Sequence, residues 1–177
     1  MQKMYTNLVI LVLIFCTAGP TEILARKSNK NYTRIKAYLK NSNSYIAIVW
    51  PITPLDADIQ IEELLCQSGR IVHKQSFILS EAEVHKLLRI AHPHILDTDE
   101  HVRWYFPPGT LAKPARVYVI LFDSLEIAVE AKHKVRRLFK LQYRSIHIND
   151  TRSETKELGK FFFKRFKSFV SPQIVKG

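Results

Sequence analysis

Ser145-Ile146-His147-Ile148-Asn149-Asp150-Thr151 places an imidazole at the junction of a short apolar strand and a helix start. Ser145 to Ile148 signals the strand. Thr151 and Glu154 signal the helix, because their spacing fits a capping box in which each side chain satisfies an orphan backbone N–H of the first turn. Imidazole is the side chain whose unperturbed pKa lies nearest neutral pH, so at such a junction it can be oriented by a neighbour and accept a proton or a phosphoryl group. Asp150 and Glu154 are the carboxylates placed to orient His147, and Asn149 and Thr151 add polar groups in the same turn. The chain holds seven histidines, so a packed or surface role for His147 is the competing reading.

Working outward, Ile46-Ala47-Ile48-Val49-Trp50 is an apolar run stopped by Pro51 and Pro54, which reads as a buried strand. Leu55 to Gln67 sets Leu55, Ile59, Leu64 and Leu65 near helical spacing, with Gly69 as the stop. Arg70 to Leu79 alternates enough to predict a second strand. Ser80 and Glu83 form another capping box, opening a helix with Val84, Leu87, Leu88 and Ala91 on one face, and His92-Pro93-His94 ends it. Residues 95–114 read as irregular, with Pro107-Pro108-Gly109 and Pro114 as breakers and Trp104-Tyr105-Phe106 as a packing cluster. Arg116 to Phe122 is the clearest strand. Asp123 or Ser124 opens the next helix, with Glu126 and Glu130 early and Lys132, Lys134, Arg136 and Arg137 late, which complements the helix dipole. The last helix runs from Thr151 to about Lys167. Strands alternating with helices predict an α/β (α+β) sandwich of about four strands over residues 45–170, with 171–177 as a tail.

Residues 1–25 read as a leader. Lys3 precedes the apolar run Leu8 to Cys16, and Ala18 or Ala25 supplies a small residue before a cleavage point. The run is short for a bilayer span, so a secretory signal peptide is expected, with a membrane anchor through residues 8–18 as the alternative. Export would leave Cys66 as the sole cysteine, so no internal disulfide supports the fold, and its apolar surroundings predict burial. Residues 26–44 carry Arg26, Lys27, Lys30, Arg34, Lys36 and Lys40 with no acid, and read as a basic arm or linker with a short helix around Tyr32 to Leu39. Asn31 and Asn149 both lie in N-glycosylation sequons.

The order of elements and several short phrases resemble the nucleoside-diphosphate kinase family, over roughly residues 45–163. That family opens on a strand ending Val-Lys-Pro, matched here by Val49-Trp50-Pro51. Its Phe-Pro-Gly-like loop before a Pro-Val strand compares with Phe106-Pro107-Pro108-Gly109 and Pro114-Ala115-Arg116-Val117. An Arg-x-x-Leu-like stretch compares with Val135-Arg136-Arg137-Leu138, and the Ile-His-Gly-Ser-Asp-Ser signature with Ile146-His147-Ile148-Asn149-Asp150-Thr151. The resemblance implies a ferredoxin-like βαββαβ fold with added helices. It also implies His147 as phosphoryl acceptor, Asp150 and Thr151 in the signature, Arg136 near phosphate, and Mg2+ arriving with a nucleotide. Trp50 replaces the family's phosphate-facing lysine, and only a few residues separate Leu138 from Ser145 where the family carries a long nucleotide loop. The phrases Val-Trp-Pro and His-Ile-Asn-Asp-Thr also resemble an uncharacterised bacterial domain family, in which His-Glu-Glu-Thr would follow; this chain has Arg152-Ser153-Glu154-Thr155.

Other chemistries have little support. The five glycines are scattered singly, so no phosphate-cradling Gly-rich loop exists. His92 and His94, with Asp97 and Asp99 nearby, lack persuasive zinc spacing. The charge balance gives a second hypothesis. Lys and Arg number 27 against 16 Asp and Glu, a net charge of +11, which favours anionic partners. Lys160-Phe161-Phe162-Phe163-Lys164-Arg165-Phe166-Lys167 interleaves bases with aromatics, and could meet nucleic acid or an anionic membrane surface. Its simpler reading is a core face of phenylalanines with a wet face of bases. An oligomer is compatible with either hypothesis.

Overall fold

The computed structural model describes residues 32–94 and 98–163. Four strands, β1 (Ser44–Val49), β2 (Arg70–Phe77), β3 (Ala115–Leu121) and β4 (Ile146–Ile148), form one sheet in the order β2-β3-β1-β4. Every neighbouring pair is antiparallel, with Ile48 opposite both Val117 on β3 and His147 on β4. Helices α1 (residues 32–39), α2 (Asp58–Ser68), α3 (Glu81–Ala91), α4 (Thr98–Tyr105), α5 (Leu125–Leu138) and α6 (Arg152–Phe163) connect and cover the strands. This is the ferredoxin-like βαββαβ arrangement, with α3 and α4 inserted between β2 and β3.

Both faces of the sheet are covered, which is why the central strands are apolar throughout rather than alternating. On one face Ile46, Ile48, Trp50, Val117 and Val119 pack against α1, α3, α4 and α6. On the other, Ala47, Val49, Tyr118, Ile120, Ile146 and Ile148 pack against α2 and α5. Period-two alternation therefore assigns His147, between Ile146 and Ile148, to the Ile48 and Trp50 face.

Local chemistry sets the helix ends. The Ser80–Glu83 capping box is complete, and the Ser124 hydroxyl accepts from Ile127 N to cap α5. Gly69 ends α2 in extended backbone, and its requirement is space. A Cβ there would lie 2.7 Å from the Leu121 carbonyl oxygen and 2.6 Å from the Phe122 ring. Gly69→Ala is expected to destabilise the domain by about 1–3 kcal/mol through that overlap, read as a lower urea midpoint with an unchanged slope.

Four expectations change. Cys66 is exposed, not buried, because the stripe of α2 that meets the sheet runs through Ile61 and Leu65, one position away. Leu55 and Ile59, expected on that stripe, are 54% and 71% exposed. The segment read as irregular contains α4, whose Val102 and Tyr105 are buried at helical spacing together with Phe106 just after it. Residues 32–39 are not a solvated arm: α1 buries Ile35 in the core, and Gly159 of α6 lets Leu39 approach closely. The expected leader, Asn31 and the run from Lys164 onward lie outside the described residues.

Candidate functional site

His147 sits in the middle of β4, 5% exposed. Its Nε2 lies 2.5 Å from Glu154 Oε1, and its Nδ1 has no hydrogen-bond partner among the described residues. Glu154 reaches it because the expected capping box forms only in part. The Thr151 hydroxyl accepts from Glu154 N at 3.2 Å, as expected. The Glu154 carboxylate, however, accepts from Asp150 N at 3.1 Å and turns its other oxygen to the imidazole. A carboxylate on Nε2 favours the tautomer with the proton on that nitrogen, which leaves the in-plane lone pair on Nδ1.

The ring is enclosed by aromatics. Trp50, wholly buried, lies 6.5 Å from it between centroids, and the His92 ring lies 5.1 Å away, edge-on. Trp50 packs on Tyr105 and Phe106, while His92 stacks on Tyr105. Trp50 Nε1 and His92 Nε2 are both buried without a hydrogen-bond partner. Buried polar atoms are rarely left so, and these two flank the one imidazole.

Burial pushes the His92 ring down to about 4, helped by His147, His101, Arg136 and Lys132. The folded value is depressed below the ordinary 6.5, so the unfolded chain takes up this proton first as pH falls. The stability it contributes is complete above about pH 6.5 and is lost as pH falls towards 4. The total is about 3 kcal/mol. Urea unfolding between pH 7 and 4.5 should show a steeper loss in the wild-type protein than in His92→Phe, which keeps the stack on Tyr105. Parallel curves would remove the assignment.

The other site residues predicted from sequence are placed unequally. Asp150 and Thr151 line the same groove as Glu154, a space of about 630 Å³ between the end of α3 and the start of α6, with His92 and His94 on its far wall. Arg136 is held at the strand next to His147. Its guanidinium hydrogen-bonds the Ile146 carbonyl through Nε at 3.4 Å and Nη2 at 3.3 Å, and lies over the Tyr143 ring. Asn149 is not a ligand-binding amide. It is 1% exposed, its Oδ1 accepts from Ile46 N at 2.6 Å, and its Nδ2 donates to Thr151 O and Thr155 Oγ1 at 3.0 and 2.7 Å. That amide is structural, and it leaves no room for a glycan.

Lys132, read from sequence only as a base late in a helix, belongs to this region. It is 7% exposed and donates from Nζ to the Ile148 carbonyl at 3.1 Å and to Asp150 Oδ1 at 2.5 Å. Lys132 and Arg136 are four apart on α5, so they share a face. Together they close the outer edge of β4, whose carbonyls at Ile146 and Ile148 have no neighbouring strand. Their i, i+4 spacing was visible in the sequence, but the carbonyls they meet were not. Among the described residues no group of three or more His, Cys, Asp or Glu could hold a metal ion. No described helix is long and apolar enough to cross a membrane.

No protein-family profile and no curated protein matches the chain in sequence. Among solved structures, it is similar to the nucleoside diphosphate kinase of Aquifex aeolicus in an orthorhombic crystal form. The alignment has a TM-score of 0.50 at 12% identity, and covers 68% of this chain and 94% of that one. At that identity the likeness concerns the fold alone, and it fits the ferredoxin-like sandwich described above.

Proposed function

We propose that this chain is a nucleotide- or phosphate-handling domain of the nucleoside-diphosphate-kinase type, with His147 as phosphoryl acceptor and a reduced nucleotide clamp. The observation that carries the reading is the His147–Glu154 contact. Glu154 holds the proton on Nε2 and leaves Nδ1 as the nucleophilic nitrogen. Attack by that lone pair on a terminal phosphorus would form the N–P bond and break the bond to the bridging oxygen, releasing the diphosphate. Asp150 would steady the turn from which Glu154 acts. Mg2+ would come on the nucleotide phosphates, since the described residues offer no cage of their own.

Slow chemistry is expected. Trp50 supplies no cation to the phosphate charge, Arg136 is engaged at Ile146, and three carboxylates, Asp150, Glu154 and Glu157, line the groove. Incubation of the full chain with labelled ATP or GTP and Mg2+ should give acid-labile phosphate on the protein. Turnover to an added nucleoside diphosphate should be weak or absent. Glu154→Gln keeps an oxygen near Nε2 but loses its charge, and should slow labelling by about 10²-fold. Absence of any acid-labile phosphate would remove the reading, and rapid transfer to nucleoside diphosphates would show that the clamp is not reduced. Export through residues 1–25 is proposed alongside, and N-terminal sequencing of exported material should begin near Gly19 or Arg26.

A further inference from the structure

A second groove lies between α1 and α6, lined by different residues from those around His147. Its volume is about 350 Å³, within the range of small-ligand sites. Leu39 and the buried Gly159 and Phe163 form the floor. Gly159 is needed there, because a Cβ would meet Leu39 Cδ1 at 2.9 Å. The rim is four exposed lysines, Lys36 from α1, Lys40 from the turn after it, and Lys156 and Lys160 from α6, and no carboxylate lines the groove. Lys160 is paired with Glu157 at 2.6 Å. Lys36, Lys40 and Lys156 have no acidic partner among the described residues.

We propose that this groove binds a single-chain anionic amphiphile, an alkyl chain ending in a carboxylate or phosphate. The chain fits the apolar floor, and the head group fits the lysine rim. Lys36, Lys40 and Lys156, without acidic partners, repel one another across the two packed elements, and an anion among them relieves that repulsion. A nucleic acid would need a run of exposed rings for stacking, but Phe163 is 1% exposed and the one other ring in the lining, Tyr32, is half-buried. The site is independent of the chemistry proposed for His147.

The test is titration of the full chain with dodecyl phosphate below its micelle concentration, read by chemical shifts at the Gly159 amide and the Leu39 methyls. Saturable binding is expected, with shifts at both residues. Decyl phosphate should bind about tenfold more weakly, since two methylenes are lost from the apolar floor. Dodecanol and inorganic phosphate should each bind at least tenfold more weakly than dodecyl phosphate. Lys36→Glu with Lys156→Glu should weaken binding by about tenfold or more, and the double Gln variant by less, both with unchanged circular dichroism. Equal affinity for dodecanol would reduce the groove to an apolar surface, and equal affinity for phosphate would reduce it to a charge cluster. Binding to mixed phosphatidylcholine–phosphatidylserine vesicles without any response to dodecyl phosphate would make it a membrane face. Lack of shifts at Leu39 and Gly159 would mean that the groove is closed, for instance by residues 164–177. Any of these four results overturns the proposal.

Discussion

Arg116→Met is expected to destabilise the domain by about 3–5 kcal/mol, the cost of breaking a buried ion pair from one side. Arg116 is 1% exposed on β3. Its Nε donates to Asp58 Oδ1 at 2.9 Å, Nη1 to the Thr53 carbonyl at 3.0 Å, and Nη2 to the Pro54 carbonyl at 3.1 Å. One guanidinium thus holds the turn that follows β1, the first residue of α2 and the centre of the sheet. Methionine fills most of the volume but leaves two carbonyls and a carboxylate without this donor. Asp58 keeps its contact with Lys74 at 3.1 Å and is 23% exposed, so the lower end of the range is expected. Urea unfolding checks it through a fall in midpoint at constant slope. A loss below about 1 kcal/mol would mean that water replaces the guanidinium at those oxygens.

His147→Gln should abolish acid-labile phosphate on the protein altogether while leaving the fold intact. A glutamine amide can still donate to Glu154, so the half-buried carboxylate is not abandoned, but it offers no nitrogen lone pair for phosphoryl transfer. Charge reversal at Lys160, Lys164 and Lys167 should leave the phosphate in place. The opposite pattern would favour a basic interaction surface: His147→Gln would matter little, and the lysine changes would weaken binding of anionic polymers and flatten its salt dependence. The two outcomes separate a reacting imidazole from a packed one, which 5% exposure alone does not.

Legibility in the sequence followed the range of the interaction. The Ser80–Glu83 box, the Ser124 cap and the apolar run of β3 are local signals, and each stands where expected. Alternating elements indicated only an α/β sandwich of about four strands, and the βαββαβ arrangement came from the family resemblance over residues 45–163. What failed was set by partners far along the chain. Arg116 reads as a polar strand end until Thr53 and Asp58 are brought to it. Asn149 reads as a site amide, but its partner is Ile46 N, which lies in the first strand. Arg136 and Lys132 read as bases suited to a helix dipole, when their targets are the edge carbonyls of β4. The helix α4 was hidden by the prolines behind it, although Val102, Tyr105 and Phe106 carry its period.

The strand order has a consequence for the moment of synthesis. β1 is made first among the strands, yet its neighbours are β3 and β4, so no strand made before β3 can satisfy its backbone. Residues Ile46 to Val49 of this strand and Trp50 just after it are wholly buried in the finished domain. While the chain emerges, that run must wait through α2, β2, α3 and α4 as an apolar segment with open hydrogen-bonding groups on both sides. Long-range pairing of this kind slows folding and leaves the segment open to association with other chains. A chain that had exposed residues only as far as Phe139 would therefore hold a sheet with β1 still open on the side that β4 will cover, and only Asn149 and Thr155 complete the closure.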